Sequence, residues 1–102
     1  MRTEPLTFLK PPRYVRATIT RQGGMVLDLR GRGRWRALSP VAAAWWQCLA
    51  TGMSVTATAD HIAARYGISQ ERARRDGDAL VRDLHGRGLL RPPYRSRKDR
   101  AI

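Results

Sequence analysis

The stretch GRWRALSPVAAAWWQCLATG, residues 33–52, decides the fold. It joins a glycine-led basic strand to an apolar helix, with only Ser39 and Pro40 between them. Ser39 can accept a hydrogen bond from an unpaired amide of a first helical turn, and proline at the first helical position forfeits no intrahelical bond. A helix therefore starts at Pro40, and Gly52 is its natural stop. Between them VAAAWWQCLA is apolar nearly all round, the pattern of a helix buried on most sides. Trp45 and Trp46 point about 100° apart on such a helix, which leaves room for one of them to be partly exposed, with core filling by both as the default reading.

Upstream, YVRATIT (14–20) alternates, with Val15, Ala17 and Ile19 on one side and Tyr14, Arg16, Thr18 and Thr20 on the other, the period of a half-buried strand. Pro11 and Pro12 hold the chain extended before it. GMVLDL (24–29) alternates again and groups Met25, Leu27 and Leu29, and RGRG (30–33) can turn the chain back into RWRAL. The third strand's inner face stays unassigned, because Trp35 and Leu38 cannot both face the core of an unbulged strand.

Downstream, Val55, Ala59, Ile62, Ala63 and Tyr66 recur at helical spacing over about 55–66 and stop at Gly67. Ser69 caps a third helix with Glu71 in its first turn, and Ala73, Gly77, Leu80 and Leu84 form its core stripe. Gly86 and Gly88 end it. Three strands followed by three helices, with a tight YGIS turn between the last two, predict an α+β fold, a winged helix-turn-helix-like βββααα domain with a three-stranded antiparallel sheet. We expect an extended N-terminal arm over 1–12, the domain over 13–90 and a basic tail over 91–102, RPPYRSRKDRAI, whose prolines and charges favour mobility.

At 102 residues and 42% hydrophobic, the chain suits one domain with a modest core. No apolar run reaches the roughly 20 residues needed to span a bilayer, and MRTEPLTFLKPP lacks the apolar core of a secretory signal, so a cytoplasmic protein is expected. The lone cysteine agrees with a reducing compartment. The net charge of +12 is concentrated at the two ends: residues 1–40 hold nine basic and two acidic side chains, 89–102 five and one, while 41–68 is neutral.

That charge invites a nucleic-acid reading, yet Glu71, Asp76, Asp78 and Asp83 nearly neutralise the helix that would have to read DNA. A winged-helix DNA-binding protein and a basic adaptor for an acidic protein partner stand as alternatives. Catalysis finds no constellation: Cys48 lies between Trp46 and Leu49 as a small core residue would, and no phosphate loop or clustered carboxylates occur. His61 and His85 lack metal-ligand spacing, so neither a metal nor a cofactor is expected.

GRWRALSPVAAAWWQCLATG and ADHIAARYGISQERARRDGDALVRDLHGRGLL (59–90) together resemble the PqqD-like peptide chaperones, also called RiPP recognition elements. The likeness spans about 11–90 and rests on the order of its parts. These are a Pro-Pro lead-in, a Gly-Arg-aromatic third strand, a Ser-Pro helix start, A-x-x-Y-G-I and E-R-A-x-x-D. A free-standing member of this length is most similar to the leader-binding proteins of lasso-peptide clusters, which work with a separate leader peptidase and a cyclase. The resemblance implies that a precursor's leader adds as an antiparallel strand to the third strand and sends side chains into a groove against the third helix. A Tyr-x-x-Pro anchor in the leader is implied too.

Carried onto this sequence, the implied peptide-binding residues are Arg34, Trp35, Arg36, Ala37 and Leu38 on the strand and Arg74, Gly77, Asp78, Val81 and His85 on the helix. Arg34 and Arg36 have a second reading as charges that keep an edge strand from sticking to other sheets. Arg74, Asp78, Val81 and His85 lie about a quarter turn from the core stripe. If that side faces the strand, Val81 is the groove floor with Arg74 and His85 as rims; otherwise it is a solvated flank with one incidental valine. Gly77 departs from the family's usual aliphatic residue, and either opens space for a leader side chain or allows close packing.

Overall fold

The computed structural model describes residues 7–92. Strands β1 (Val15–Thr20), β2 (Gly23–Asp28) and β3 (Arg34–Leu38) form an antiparallel sheet in the order β1-β2-β3, and helices α1 (Pro40–Ala50), α2 (Val55–Tyr66) and α3 (Gln70–Gly86) follow. This is the expected βββααα architecture. Each helix starts on a serine: Ser39, Ser54 and Ser69 accept from the backbone N–H groups of Ala42 (3.1 Å), Ala57 (3.0 Å) and Arg72 (3.0 Å). Helix α2 ends at Gly67, whose φ of 67° is the left-handed conformation that glycine adopts without a steric penalty. Among the described residues no helix is long and apolar enough to cross a membrane.

The two strand periods have unequal fates. Val15 is buried and Ile19 half-buried as expected, but Ala17 is exposed. On β2 the residues grouped by alternation, Met25, Leu27 and Leu29, are not the core set: Met25 and Leu29 are exposed, and Val26 is fully buried in their place. The register explains it. Val26 lies opposite Ala17 on one side and Arg36 on the other, so it shares the face of Val15 and Leu38, the face against which the helices pack. The open question on β3 is thereby settled, with Leu38 in the core and Trp35 64% exposed on the outer face.

Trp45 and Trp46 are both buried, as the core-filling reading of the pair expects, even though they point about 100° apart. The reason is that α1 has partners on more than one side, touching all three strands and α2. Gly77 lets Trp45 in: a Cβ built there would lie 2.1 Å from the indole ring, so the glycine serves close packing and opens no space for a peptide side chain. Val81 is 2% exposed and belongs to the core with Ala73 and Leu84.

The chain on either side of the βββααα unit is tied to it. Lys10 and Arg91 exchange both backbone hydrogen bonds (2.8 and 2.9 Å), Val55 N–H donates to the Thr7 carbonyl (2.7 Å), and Leu9, Leu89 and Leu90 are buried. Of the segments set apart by the sequence reading, residues 1–6 of the arm and 93–102 of the tail lie outside the described residues.

Candidate functional site: an open strand edge beside a basic groove

β3 is an edge strand, and the hydrogen-bond pattern shows which of its groups are free. Leu29 N–H donates to the Tyr14 carbonyl (2.8 Å), and the unbroken β1–β2 register from Val15↔Asp28 to Thr20↔Gly23 carries the same parity, so Gly23, Met25 and Leu27 turn their backbone groups toward β1. Gly24, Val26 and Asp28 then turn theirs toward β3, where their register partners are Leu38, Arg36 and Arg34. The N–H and C=O groups of Trp35 and Ala37 consequently point away from the sheet. Among the described residues no strand covers them. Arg34, Arg36 and Leu38 put their side chains on the inner face, and Trp35 and Ala37 on the outer one.

Beside this edge, on the inner face, lies a cavity of about 620 Å³ lined by Val26, Asp28, Arg30, Gly31, Arg34, Trp35, Arg36, Arg87 and Leu89. Its apolar elements are Val26 from the centre of the sheet and Leu89 from the segment after α3. That segment is held by two side chains from the sheet region. The Tyr14 hydroxyl donates to the Gly88 carbonyl (2.9 Å), and the Arg30 guanidinium donates to the Arg87 carbonyl (2.9 Å) while lying 4.3 Å from the centre of the Tyr14 ring. Gly88, with φ of 77°, makes the approach possible, because a Cβ there would stand 2.8 Å from the guanidinium. Leu89 thus reaches the groove by an anchored turn.

Electrostatics shape the rim. Asp28 accepts from Arg30 Nε (3.0 Å), Arg30 Nη2 (2.8 Å) and the Arg30 backbone N–H (3.0 Å), and these bonds hold its carboxyl below the usual aspartate range and raise the Arg30 guanidinium. Across the groove, Asp83 of α3 takes Arg36 on one oxygen (2.6 Å) and Arg87 on the other (3.0 Å). Four guanidinium groups line the cavity, Arg30, Arg34, Arg36 and Arg87, and two carboxylates serve three of them. Among the described residues Arg34 has no ion pair.

The sequence-based site residues divide by element. Arg34, Trp35 and Arg36 line the cavity, Ala37 carries a free edge amide, and Leu38 turns into the core. The helix candidates do not come to the groove. Arg74 faces Asp60 of α2 at 3.7 Å, Asp78 pairs with Arg82 (3.2 Å), Gly77 and Val81 are buried, and His85 is half-buried outside the lining. Val81 as groove floor is therefore corrected to Val81 as core; α3 is rotated so that Asp83 is the residue that meets β3. Missed altogether were Val26, Asp28, Arg30, Gly31, Arg87 and Leu89. A sequence signal existed for the last two, since the pair Leu89-Leu90 after Gly88 is an apolar return of the chain to the core.

Burial raises the Cys48 thiol above its ordinary range, so at neutral pH it is the protonated, poorly nucleophilic form. Among the described residues no group of three His, Cys, Asp or Glu side chains could hold a metal ion. Arg72, Arg75 and Arg82 of α3 and Arg87 at its C-terminal cap each have an acidic partner four residues away, at 3.0 to 3.8 Å.

An antiparallel three-stranded sheet with one open edge, a groove beside that edge and a helix-turn-helix behind it defines a winged helix-turn-helix-like α+β protein. A family model described as "Coenzyme PQQ synthesis protein D (PqqD)" matches residues 23–90. The chain belongs to the PqqD family and is a PqqD-like RiPP recognition element. Two solved structures are similar to it. One, described as "TbiB1 in Complex with the TbiA(beta) Leader Peptide", has a TM-score of 0.74 and 24% identity over 85% of this chain and 99% of that one, and shares its fold. The other, "Lasso peptide synthetase B1 complexed with the leader peptide", has a TM-score of 0.73 and 28% identity over 82% of this chain and 98% of that one. Comparison with curated proteins finds no match.

Proposed function

We propose that the protein binds the leader region of a ribosomally made precursor peptide and presents it, unmodified, to a separate leader peptidase and a cyclase in lasso-peptide biosynthesis. The leader adds as a strand to β3. Main-chain bonds to Trp35 and Ala37 supply affinity, and alternate leader side chains enter the groove over Val26 and Leu89 or lie on the outer face beside Trp35. The observation that carries this reading is the free backbone of Trp35 and Ala37 at the lip of the cavity. Membership of the PqqD family and the leader peptides bound by both structural neighbours support it.

The DNA-binding alternative is disfavoured by α3, whose basic side chains are largely matched with acids and so offer phosphate little net charge. Mixing the protein with its labelled cognate precursor is expected to raise fluorescence polarisation and leave the peptide mass unchanged. Tight binding to duplex DNA at physiological salt without peptide binding would overturn the proposal.

A further inference from the structure

A leader strand laid along β3 places its residues opposite Arg34 and Arg36 on the inner face, two apart in its own sequence, because the pleat alternates sides. The charges waiting there are unequal. Arg30 is committed to Asp28 by a two-nitrogen grip and to the Arg87 carbonyl; Arg36 and Arg87 share Asp83. Arg34 stands directly across from Asp28 in the β2–β3 register, and its charge contributes to the lowered Asp28 carboxyl, but the Asp28 oxygens are taken by Arg30. The opposite neighbour of Arg34 is the empty position of the incoming strand.

We infer that the groove selects a leader segment with a carboxylate side chain opposite Arg34 and an apolar side chain two residues away, opposite Arg36. This rests on strand addition to β3. A guest glutamate or aspartate would give Arg34 a directly facing, opposite-charge cross-strand partner. The fork of a guanidinium suits a carboxylate for two parallel bonds, so the pairing is specific as well as attractive. The neighbouring guest side chain meets the cavity where Val26 and Leu89, both nearly closed to solvent, form its floor, beside an Arg36 that shares the Asp83 carboxylate with Arg87. One polar and one apolar requirement on alternate residues define a register, which main-chain bonding alone does not.

The test is selection from a displayed library of random peptides of about ten residues, enough for a strand and its flanks, against the wild type, Arg34→Glu and Arg34→Gln. Thermal unfolding confirms that each variant is folded; if Arg34→Glu is not, Arg34→Gln decides. Wild type is expected to enrich Asp or Glu at one position with an apolar residue two away. Arg34→Glu is expected to replace that acid with Lys or Arg and keep the apolar residue, and Arg34→Gln to lose the charge preference. Changing the acid of an enriched peptide to its amide should weaken wild-type binding about tenfold and leave Arg34→Gln binding unchanged.

An acidic preference that survives in the Arg34 variants overturns the inference. So does enrichment of alternating apolar residues with no charge preference, although strand addition then stands. Failure to enrich any sequence on all three proteins overturns strand addition as well.

Discussion

Replacing Ala37 with proline separates the guest edge from the sheet's own ladder. The Ala37 N–H points away from β2, so the β2–β3 bonds at the Gly24↔Leu38 and Val26↔Arg36 pairs are untouched. Proline is tolerated on an edge strand when its missing N–H faced solvent, and the extended conformation it imposes on the preceding Arg36 is the one a strand already has. The fold should therefore lose only about 1 kcal/mol, for the fixed φ of proline against the strand value. Leader binding should lose more. The missing bond removes about 0.5–1.5 kcal/mol, and the leader carbonyl left without a donor adds about 1–3 kcal/mol. The sum, about 1.5–4.5 kcal/mol, corresponds to roughly 10- to 2000-fold in Kd.

Arg36→Pro is the matched control, because its N–H lies in the ladder to Val26 and its loss should lower the unfolding midpoint well beyond the Ala37→Pro effect. Chemical denaturation followed by circular dichroism reports the fold, and polarisation titration with the labelled leader reports the edge. A cooperatively folded Ala37→Pro protein with wild-type affinity would refute pairing of the leader with β3. Severe unfolding of Ala37→Pro alongside a stable Arg36→Pro would refute the assignment of outward and inward amides.

Val81→Asp places a carboxylate at a 2% exposed site among Ala73 and Leu84, and should cost about 4 kcal/mol or more, visible as a collapsed denaturation midpoint before any peptide is added. Gly77→Ala should destabilise despite a gain of about 1 kcal/mol in helix propensity, since its Cβ would meet the buried Trp45 ring at 2.1 Å and overpacking costs about 1–3 kcal/mol; thermal melts read the sign. Deleting residues 92–102 should change leader affinity less than about threefold, and raising salt from about 0.1 to about 1 M, which shortens the screening length from about 10 to about 3 Å, should weaken binding without abolishing it. If instead the deletion or the salt removes most of the affinity, the +12 field and not the strand edge carries the binding.

Elements with a local cause were legible in the sequence. Ser39-Pro40 and Ser69 start helices through hydrogen bonds to amides three residues on, and Gly67 ends one by a backbone conformation that needs no distant partner. The order βββααα followed from those signals, and the candidate strand 34–38 followed with it. What lay beyond the sequence was the buried face of β2 and β3 and the full extent of the buried side of α3. Alternation groups Met25 with Leu27, but pairing with the neighbouring strands turns that group outward and buries Val26. A stripe of small residues on α3 places Gly77 inward, but only the indole of Trp45 and the Arg36–Asp83 contact reveal how far the helix is rotated, and that rotation takes Val81 into the core and brings Asp83 to the groove. Arg30, Arg87 and Leu89 join Val26 and Arg34 only because a turn after α3 folds back onto the sheet. Local hydrogen bonds are decided within a few residues of chain, whereas the face that is buried depends on which surfaces meet, and those surfaces belong to segments far apart in the chain, as Arg30 and Arg87 are at a separation of 57 residues.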